Sequence, residues 1–284
     1  MRWLVLGGHG MLGRDLLPRL RALPGAEVVA PARAELDLTD PAALAAAATG
    51  MDVVVNCAAF TNVDGAESQR DEAFAVNATG AGDAAAAAAA AGAGFVQVST
   101  DYVFDGTATS PYPEDAPVAP LSVYGASKAE GERLVRAAHP DAWIVRTAWL
   151  YGDGTSFPRT MLRLARDRDT VAVVTDQTGQ PTWTADVADA ILRLVAAQAP
   201  AGTYHATNSG AVSRFEFARA IFEVAGLDPA RVVPTDGASF GHVARRPAYS
   251  VLGHAAWERA GLAPPRDWLS ALRESAGHGA LEIA

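Results

Sequence analysis

The clearest chemical pattern in this sequence is a tyrosine followed four residues later by a lysine, Tyr124 and Lys128. Lys128 is the only lysine among 23 lysine and arginine residues, which indicates that a compact ammonium is needed here and that arginine does not replace it. On a helix the two side chains lie on one face, about 6 Å apart. A phenol titrates near pH ~10, and proton transfer near pH ~7 asks for about 4 kcal/mol of stabilisation, of which an ammonium at ~6 Å supplies roughly 2.8 kcal/mol. The pair therefore predicts a tyrosine acid whose pKa is lowered by Lys128.

Both side chains need a helix that starts just before them. Ser122 is the expected N-cap, and the residues after Lys128 continue an amphipathic helical pattern. A third polar group is expected in STDYVFDG (99–106), because the carboxyl end of a parallel strand is where such sheets bind ligands. A hydroxyl from Ser99 or Thr100 at that position can hydrogen-bond a substrate oxygen and the tyrosine.

A glycine-rich turn lies at the start of the chain, in GGHGMLG (7–13), between a first strand and a helix. A dinucleotide pyrophosphate selects glycine there for the tight turn, for close approach of the backbone and for helix–strand packing, and the helix N-terminus adds partial positive charge. The spacing is G-x-x-G-x-x-G rather than G-x-G-x-x-G, so a glycine turn without a ligand remains the alternative. The residues assigned to the cofactor here are Gly7, Gly10, Met11, Leu12 and Gly13.

The end of the second strand decides the expected cofactor. Arg33 lies where NAD-preferring sites carry an acid, and its planar fork suits a 2′-phosphate, which favours NADPH. A solvated surface arginine is the alternative, so NADH stays open. Asp37 and Leu38 are expected at the adenine edge, and the small Ala58 and Ala59 after the third strand let the cofactor lie close.

Short β-branched runs alternate with helical patterns, at 3–7, 27–30, 52–58, 94–100 and 142–152. Strands that are apolar throughout predict a parallel sheet covered on both faces, hence an α/β, doubly wound, Rossmann-like fold. After Gly152 the rhythm breaks into segments rich in proline and glycine. We therefore expect a dinucleotide-binding domain and a smaller C-terminal α/β substrate lobe. The predicted division is 1–150 with a return near 184–206 for the domain, and 151–183 with 207–284 for the lobe.

The composition excludes several classes of protein. The net charge of −9 argues against a nucleic-acid or anionic-membrane surface as the main partner. The single cysteine, Cys57, rules out an internal disulfide and is expected to be a buried filler, and the six histidines show no metal-ligand spacing. No signal peptide or membrane span is apparent, so a cytoplasmic protein is expected, and the binding of Mg²⁺ is left open.

Seven motifs together resemble the dTDP-4-dehydrorhamnose reductase family of extended short-chain dehydrogenases/reductases. The resemblance runs almost the full length, through GGHGMLG (7–13), NCAAFTNVDGAE (56–67), STDYVFDG (99–106), YGASK (124–128), RTAWLYG (146–152), DQTGQPT (176–182) and RRPAYSVL (245–252). It implies an NADPH-dependent reduction of a 4-keto-6-deoxy nucleotide sugar, with Thr100, Tyr124 and Lys128 as the catalytic set.

The same resemblance implies a substrate pocket. Its expected sugar contacts are Val63, Asp101, Tyr102 and Trp149. Thr182 and Arg246 are expected near the nucleotide phosphates or base. The alternatives are packing for Val63, Tyr102 and Trp149 and a loop cap for Asp101.

Two departures from the family pattern stand out. Asn62 replaces an alanine, which would alter pocket polarity. Some members bind Mg²⁺ at a homodimer interface, and Asp15 fits one position, but the second region reads Thr184–Ala185–Asp186. The sequence therefore assigns no metal ligand and leaves the homodimer open.

Two other functions remain open from the sequence. One is a related 4-ketoreductase or an epimerase of deoxysugar biosynthesis on the same scaffold. The other is a non-catalytic regulatory subunit, since the methionine adenosyltransferase β subunit resembles this family. An intact Thr–Tyr–Lys set favours an enzyme.

Overall fold

The structure is a computed structural model that describes residues 1–237, 241 and 243–281. Its strands are β1 (Arg2–Leu6), β2 (Glu27–Val29), β3 (Val53–Asn56), β4 (Gly94–Thr100), β5 (Trp143–Thr147), β6 (Leu150–Tyr151), β7 (Val171–Val174), β8 (Thr178–Gly179), β9 (Thr182–Trp183), β10 (Gly202–His205), β11 (Val212–Ser213) and β12 (Val232–Thr235). Its helices are α1 (Met11–Arg21), α2 (Pro41–Ala48), α3 (Val63–Ser68), α4 (Arg70–Phe74), α5 (Gly80–Ala90), α6 (Val123–Ala138), α7 (Phe157–Asp167), α8 (Thr184–Ala196), α9 (Arg214–Val224), α10 (Ala255–Arg259) and α11 (Trp268–Gly277). A π-helical turn, Ala75–Thr79, joins α4 to α5, and short 3₁₀ turns cover Asp101–Val103 and Pro229–Arg231.

Six strands form one sheet in the order β10-β5-β4-β3-β1-β2, and every neighbouring pair is parallel. The chain moves from β1 outward to β2 and then resumes at β3 on the other side of β1. The order thus reverses between β1 and β3, and ligands bind doubly wound sheets at the carboxyl ends of the strands beside such a reversal. The predicted doubly wound α/β fold is confirmed.

Helices cover both faces of this sheet, as strands that are apolar throughout require. On one face, α1 and α8 pack against each other and supply buried residues such as Leu16, Leu20 and Ile191. On the other face, α2, α5 and α6 contribute Leu44, Val135 and the alanines of α5. The catalytic candidates on α6 are therefore carried by an element packed directly on the sheet.

The elements after β5 build a separate layer. Strands β7 and β12 pair in parallel, and α7, α9 and α11 pack around a third hydrophobic cluster that includes Phe217, Ile221 and Leu272. Between them, α8 packs on α1 and β10 extends the main sheet beside β5. The division into two domains at the stated residues stays a prediction, and positions 238–240, 242 and 282–284 of the predicted lobe lie outside the described residues.

The predicted strand at 142–152 is interrupted, which corrects the sequence interpretation. β5 ends at Thr147, and Trp149 adopts φ +44°, a left-handed conformation that is rare for a bulky residue. The turn redirects the chain, so that β6 pairs with β9 outside the main sheet. The consequence is that Trp149 lies at the junction between the sheet and the later layer.

No helix in the described part of the chain is long and apolar enough to cross a membrane.

Candidate active site

A cavity of about 700 Å³ lies at the carboxyl edge of the main sheet. It is lined by the glycine turn, by the segments that follow β3 and β4, by α6, and by residues at the junction with the later layer. Tyr124, Lys128 and Thr100 all face this one cavity, together with Gly7 and Gly10. The structure thus brings together the two motifs that the sequence places more than a hundred residues apart.

The glycine turn has the shape that a dinucleotide pyrophosphate requires. Gly7 has φ +72°, and a Cβ there would lie 2.6 Å from the Ala58 nitrogen. A Cβ on Gly13 would lie 2.2 Å from the carbonyl oxygen of Gly8. Gly10 is the N-cap of α1 and offers no side-chain cap, so the first N–H groups of the helix stay free for an anion. These features fit a bound dinucleotide at this end of the cavity.

The other predicted cofactor residues also line the cavity, namely Met11, Leu12, Arg33, Asp37, Leu38, Ala58 and Ala59. The Arg33 side chain is 88 % exposed and lies 3.8 Å from a carboxylate oxygen of Glu72. Asp37 accepts hydrogen bonds from the backbone and hydroxyl of Thr39, and these bonds hold its pKa below its usual range. Leu38 is largely buried in the second core cluster. Their contacts with a cofactor stay predictions.

The helix that carries Tyr124 and Lys128 begins as the sequence indicates. The Ser122 hydroxyl accepts a hydrogen bond from the Gly125 nitrogen and caps α6, which confirms the predicted N-cap. Lys128 is 4 % exposed, and its Nζ donates to the Val98 carbonyl at 2.7 Å. An ammonium has three donors, so this bond fixes the side chain and leaves two donors for a ligand.

Thr100 ends β4 and caps the 3₁₀ turn that follows. Its Oγ1 donates to Asp101 Oδ1 at 2.9 Å and accepts from the Tyr102 nitrogen at 3.2 Å. It is also close enough to the Tyr124 phenol to lower the pKa of that group. The expected three polar groups therefore meet at one point, and their catalytic roles stay predictions.

The electrostatics of Tyr124 reverse one prediction. Burial raises the pKa of the Tyr124 phenol above its ordinary value, and the Asp101 carboxylate raises it further. Burial also lowers the pKa of Lys128 to about 8, against an opposing effect of Glu132. The expectation that the phenol pKa lies below its ordinary value was wrong, because desolvation outweighs the groups that lower it. Tyr124 is consequently protonated near neutral pH, the form that can donate a proton.

A buried ionic network beside Lys128 was not found by sequence reasoning. Glu132, one turn further along α6, accepts hydrogen bonds from Arg146 Nε at 2.8 Å and Nη2 at 2.7 Å and from Ser99 Oγ at 2.7 Å. Both charged side chains are at most 3 % exposed. The Ser99 bond and the Lys128–Val98 bond tie the end of β4 to α6 at consecutive residues. The only available signal was an acid one turn after the lysine.

The four residues predicted to contact the sugar, Val63, Asp101, Tyr102 and Trp149, all line the cavity. The Tyr102 ring meets the Tyr124 ring edge-on, with centroids 5.5 Å apart. Asp101 is almost fully buried, and burial raises the pKa of its carboxyl to about 6. Polar and aromatic groups thus surround the space next to Tyr124, as an amphipathic sugar requires.

Three residues singled out in the sequence have side chains that are bonded within the protein, and their predicted contacts with a ligand stay predictions. Thr182 is fully buried and does not line the cavity, and its hydroxyl donates to the Gln180 carbonyl. Arg246 is not a lining residue either; it is bound to Asp64. Asn62 caps α3 by accepting from the Gly65 nitrogen at 2.9 Å, so its polarity is directed to the helix and not to the pocket.

Arg214, the first residue of α9, lines the cavity and was missed. Its guanidinium carbon lies 3.6 Å from the centroid of the Trp149 ring. The sequence predicts the helix that Arg214 opens, but no local pattern indicates that this helix begins at the cavity.

Two further side chains bear on chemistry that was considered from the sequence. Burial raises the pKa of the Cys57 thiol to about 12, so Cys57 stays a neutral thiol at the cavity wall. Asp15 accepts a hydrogen bond from the Thr184 hydroxyl at 2.5 Å and lies 3.5 Å from Arg19. Within residues 1–237, 241 and 243–281, no cluster of three or more potential metal ligands occurs. The assignment of no metal ligand stays a prediction.

Comparisons with known proteins agree on one family. The family model described as the RmlD substrate binding domain matches residues 1–280. A dTDP-4-dehydrorhamnose reductase of Streptomyces griseus is 52 % identical over 282 residues, which cover 96 % of this chain and 92 % of that protein.

Two solved structures extend the comparison. A dTDP-4-dehydrorhamnose reductase from Clostridium acetobutylicum superposes with a TM-score of 0.94 at 41 % identity, over 98 % of this chain and 99 % of that one. The Bacillus anthracis dTDP-4-dehydrorhamnose reductase, solved in complex with NADP, superposes with a TM-score of 0.92 at 36 % identity, again over 98 % and 99 % of the two chains.

Proposed function

The chain belongs to the dTDP-4-dehydrorhamnose reductase family, and we propose that it catalyses the NADPH-dependent reduction of the 4-keto group of a dTDP-4-keto-6-deoxy sugar, with dTDP-4-dehydrorhamnose as the substrate and dTDP-rhamnose as the product. The observation that carries this proposal is the meeting of Tyr124, Lys128 and Thr100 with the glycine turn in one cavity. A proton donor beside a dinucleotide site is what ketone reduction needs.

The cofactor supplies a hydride to the keto carbon when it is bound. The first N–H groups of α1 and the glycine turn would hold its pyrophosphate, and Lys128 would hold a ribose hydroxyl with the donors that the Val98 carbonyl leaves free. Arg33 would meet a 2′-phosphate, since it lines the cavity, is largely exposed and pairs loosely with Glu72 at 3.8 Å. NADP(H) fits these residues, and we assign the preference for NADPH over NADH to Arg33.

Tyr124 delivers the proton. Its raised pKa keeps the phenol protonated near neutral pH, so the phenol can donate to the carbonyl oxygen as the carbon is reduced. Thr100 orients that oxygen by turning its hydroxyl proton from Asp101 to the substrate. The Lys128 ammonium then stabilises the phenolate left behind. One hydride and one proton convert the ketone into a secondary alcohol, and the tyrosine regains its proton from solvent.

The sugar is held by the wall next to Tyr124. Val63, Tyr102 and Trp149 provide the apolar and aromatic contacts, and Asp101 provides a buried acceptor for a sugar hydroxyl. In this proposal the protein is cytoplasmic, because its cofactor and its nucleotide sugar are both soluble. We expect no nucleic-acid partner, because the chain carries a net charge of −9.

Replacement of Tyr124 tests the proposal. Tyr124→Phe removes the proton donor and keeps the ring, so we expect turnover with dTDP-4-keto-6-deoxy sugar to fall about 10²- to 10⁴-fold while the Kd for NADPH stays within a factor of about two. Stopped assays of NADPH oxidation with product identification, and fluorescence titration of NADPH, measure the two effects.

The matched control is Tyr204→Phe, which removes a hydroxyl bonded to the Pro200 carbonyl away from the cavity. Its turnover should equal that of the wild type. Wild-type turnover by the Tyr124→Phe variant, or no NADPH oxidation with any dTDP-4-keto sugar by the wild type, would overturn the proposal.

A further inference from the structure

Two arginines near the sugar end of the cavity differ in how their charges are balanced. Arg246 makes a two-point ion pair with Asp64, with nitrogen–oxygen distances of 2.8 and 3.2 Å, and also donates to the Ala244 carbonyl. In the described part of the chain, the Arg214 guanidinium makes no hydrogen bond and no ion pair within 4.0 Å of a carboxylate. The cavity-lining cation is therefore the one that the protein does not neutralise directly.

Trp149 holds the Arg214 guanidinium flat. The guanidinium carbon lies 3.6 Å from the indole centroid and 5.0 Å from the centroid of Phe157. Stacking of this kind uses the face of the guanidinium and leaves its five in-plane N–H donors available. A planar guanidinium with free donors can bind two phosphate oxygens at once, so a phosphate suits it better than a group with a single acceptor atom.

The platform itself is built at some conformational cost. Trp149 keeps φ +44°, and strained conformations of this kind persist where the surroundings fix them. Gly179 is one such surrounding residue, because a Cβ there would lie 2.6 Å from the indole Cε2. The capping box of Ser213 and Glu216 fixes the start of α9, and with it the backbone of Arg214. The cation and its platform are thus both held in place.

The nearest charges do not supply the missing partner. Asp101 and Tyr102 are close enough to influence Arg214, but the Asp101 Oδ1 accepts from Thr100 and its carboxyl has a pKa of about 6. Arg246 lies in the same neighbourhood, where Asp64 balances its charge. Arg214 therefore remains as a guanidinium at the cavity without a direct carboxylate partner among the described residues, and such a group can attract an anion.

The chemistry of the substrate indicates which anion would bind near Arg214. In a 4-keto nucleotide sugar, the diphosphate is attached to C1, across the ring from C4. Tyr102 adjoins both groups, because its ring meets that of Tyr124 at 5.5 Å and Arg214 is close enough to influence its phenol pKa. A sugar whose C4 oxygen reaches Tyr124 would therefore have Arg214 within the same part of the cavity as its diphosphate.

We propose that Arg214, stacked on Trp149, binds the diphosphate of the nucleotide sugar, and that Arg246 instead links its own segment to α3 through Asp64. This inference rests on the proposed function, which supplies the nucleotide sugar. It assigns recognition of the diphosphate to the first residue of α9 and replaces the sequence-based assignment of Arg246.

Titration calorimetry with dTDP, dTMP and thymidine tests the inference without any turnover. Arg214→Gln should weaken dTDP binding about 10- to 100-fold, as expected for loss of charge-assisted bonds to a phosphate. The Kd for NADPH should stay within a factor of about two, because the cofactor phosphates lie at the glycine turn. Arg214→Lys should give an intermediate loss, since it keeps the charge and loses the fork. If the wild type binds dTDP no more tightly than thymidine, the inference fails.

Arg219→Gln is the matched control, because Arg219 is exposed on the same helix, lies over Phe215 and does not line the cavity. It changes the net charge equally and should leave dTDP affinity unchanged. The inference is overturned if Arg214→Gln binds dTDP as tightly as the wild type, or if thymidine binding falls by the same factor as dTDP binding. Failure of the proposed function is seen separately, as wild-type protein that binds dTDP through Arg214 but reduces no dTDP-4-keto sugar.

Discussion

The charged side chains on two walls of the cavity differ in how far the protein itself binds them. On the α6 wall, Lys128 is bonded to the Val98 carbonyl, and Glu132 is bonded to Arg146 and Ser99. On the opposite wall, Arg214 is stacked on an aromatic ring without an ion-pair partner among the described residues. The charged groups of the first wall are anchored by bonds within the protein, whereas the Arg214 guanidinium makes no hydrogen bond or ion pair among the described residues.

This difference separates catalysis from recognition. A group that transfers a proton or fixes a ribose must be in position before the reaction, since geometry set in advance costs nothing at the moment of reaction. A group that recognises an anionic substrate gains most if its donors are not already used by the protein. In the proposed function, the buried network beside α6 therefore serves positioning, and Arg214 serves binding.

The largest effect is expected from replacing Glu132, which lies at the centre of the buried ionic network. Glu132→Ala leaves Arg146 buried without its counter-charge, and breaking one partner of a buried pair costs about 3–5 kcal/mol. We expect a loss of this size in the free energy of unfolding, measured by urea denaturation.

Glu130→Ala is the control on the same helix, because Glu130 pairs with Arg133 at the surface. Its effect on stability should be small, since exposed ion pairs contribute little. Equal and small losses for both variants would contradict the view that the α6 wall is held by the Glu132–Arg146 pair.

Gly179→Ala should disturb the other wall. The added Cβ would lie 2.6 Å from the Trp149 ring, so the indole must move or the strand must shift. Overpacking of this kind costs about 1–3 kcal/mol, and we expect kcat/KM for the sugar to fall about tenfold while NADPH binding is retained.

Gly277→Ala is a suitable comparison, because a Cβ at that position would meet no atom within 4 Å. It should leave both parameters unchanged. A normal kcat/KM in the Gly179→Ala variant would show that the placement of Trp149 does not matter for the substrate.

The smallest expected effect concerns pH. The pKa of Lys128 is lowered to about 8 by burial, so the ammonium is present below pH 8 and is lost as the pH rises above it. Because kcat/KM reports the free enzyme, we expect it to decline on the alkaline side with an apparent pKa near 8. The negative charge of Glu132 raises the pKa of Lys128, so Glu132→Gln should move this limb to lower pH. If kcat/KM declines at the same pH in the wild type and in the Glu132→Gln variant, the charge of Glu132 does not set the pKa of Lys128.

The sequence was informative where one residue type is chemically required. The spacing of Tyr124 and Lys128, the glycine turn and the alternation of strands led to the α/β fold and to the cavity. These features follow from local constraints that a sequence displays directly.

Features that depend on tertiary contacts were not predictable in this way. The Glu132–Arg146 pair joins residues on a helix and a strand, and the left-handed turn at Trp149 depends on packing against Gly179. The direction of the Tyr124 pKa was wrong because burial, which a sequence does not show, has the largest effect on it. Arg214 was missed because only the fold brings the start of α9 to the cavity.

The central claim is that NADPH bound in this cavity transfers a hydride to the keto carbon of a nucleotide sugar, while Tyr124 supplies the proton. The most direct measurement uses NADPH deuterated at the transferring position, with dTDP-4-keto-6-deoxy sugar, and locates the label in the product by mass spectrometry and NMR. We expect one deuterium at C4 with the wild type and almost none with Tyr124→Phe in the same time. Deuterium at another carbon, or labelling that is equally fast without the Tyr124 hydroxyl, would contradict the account.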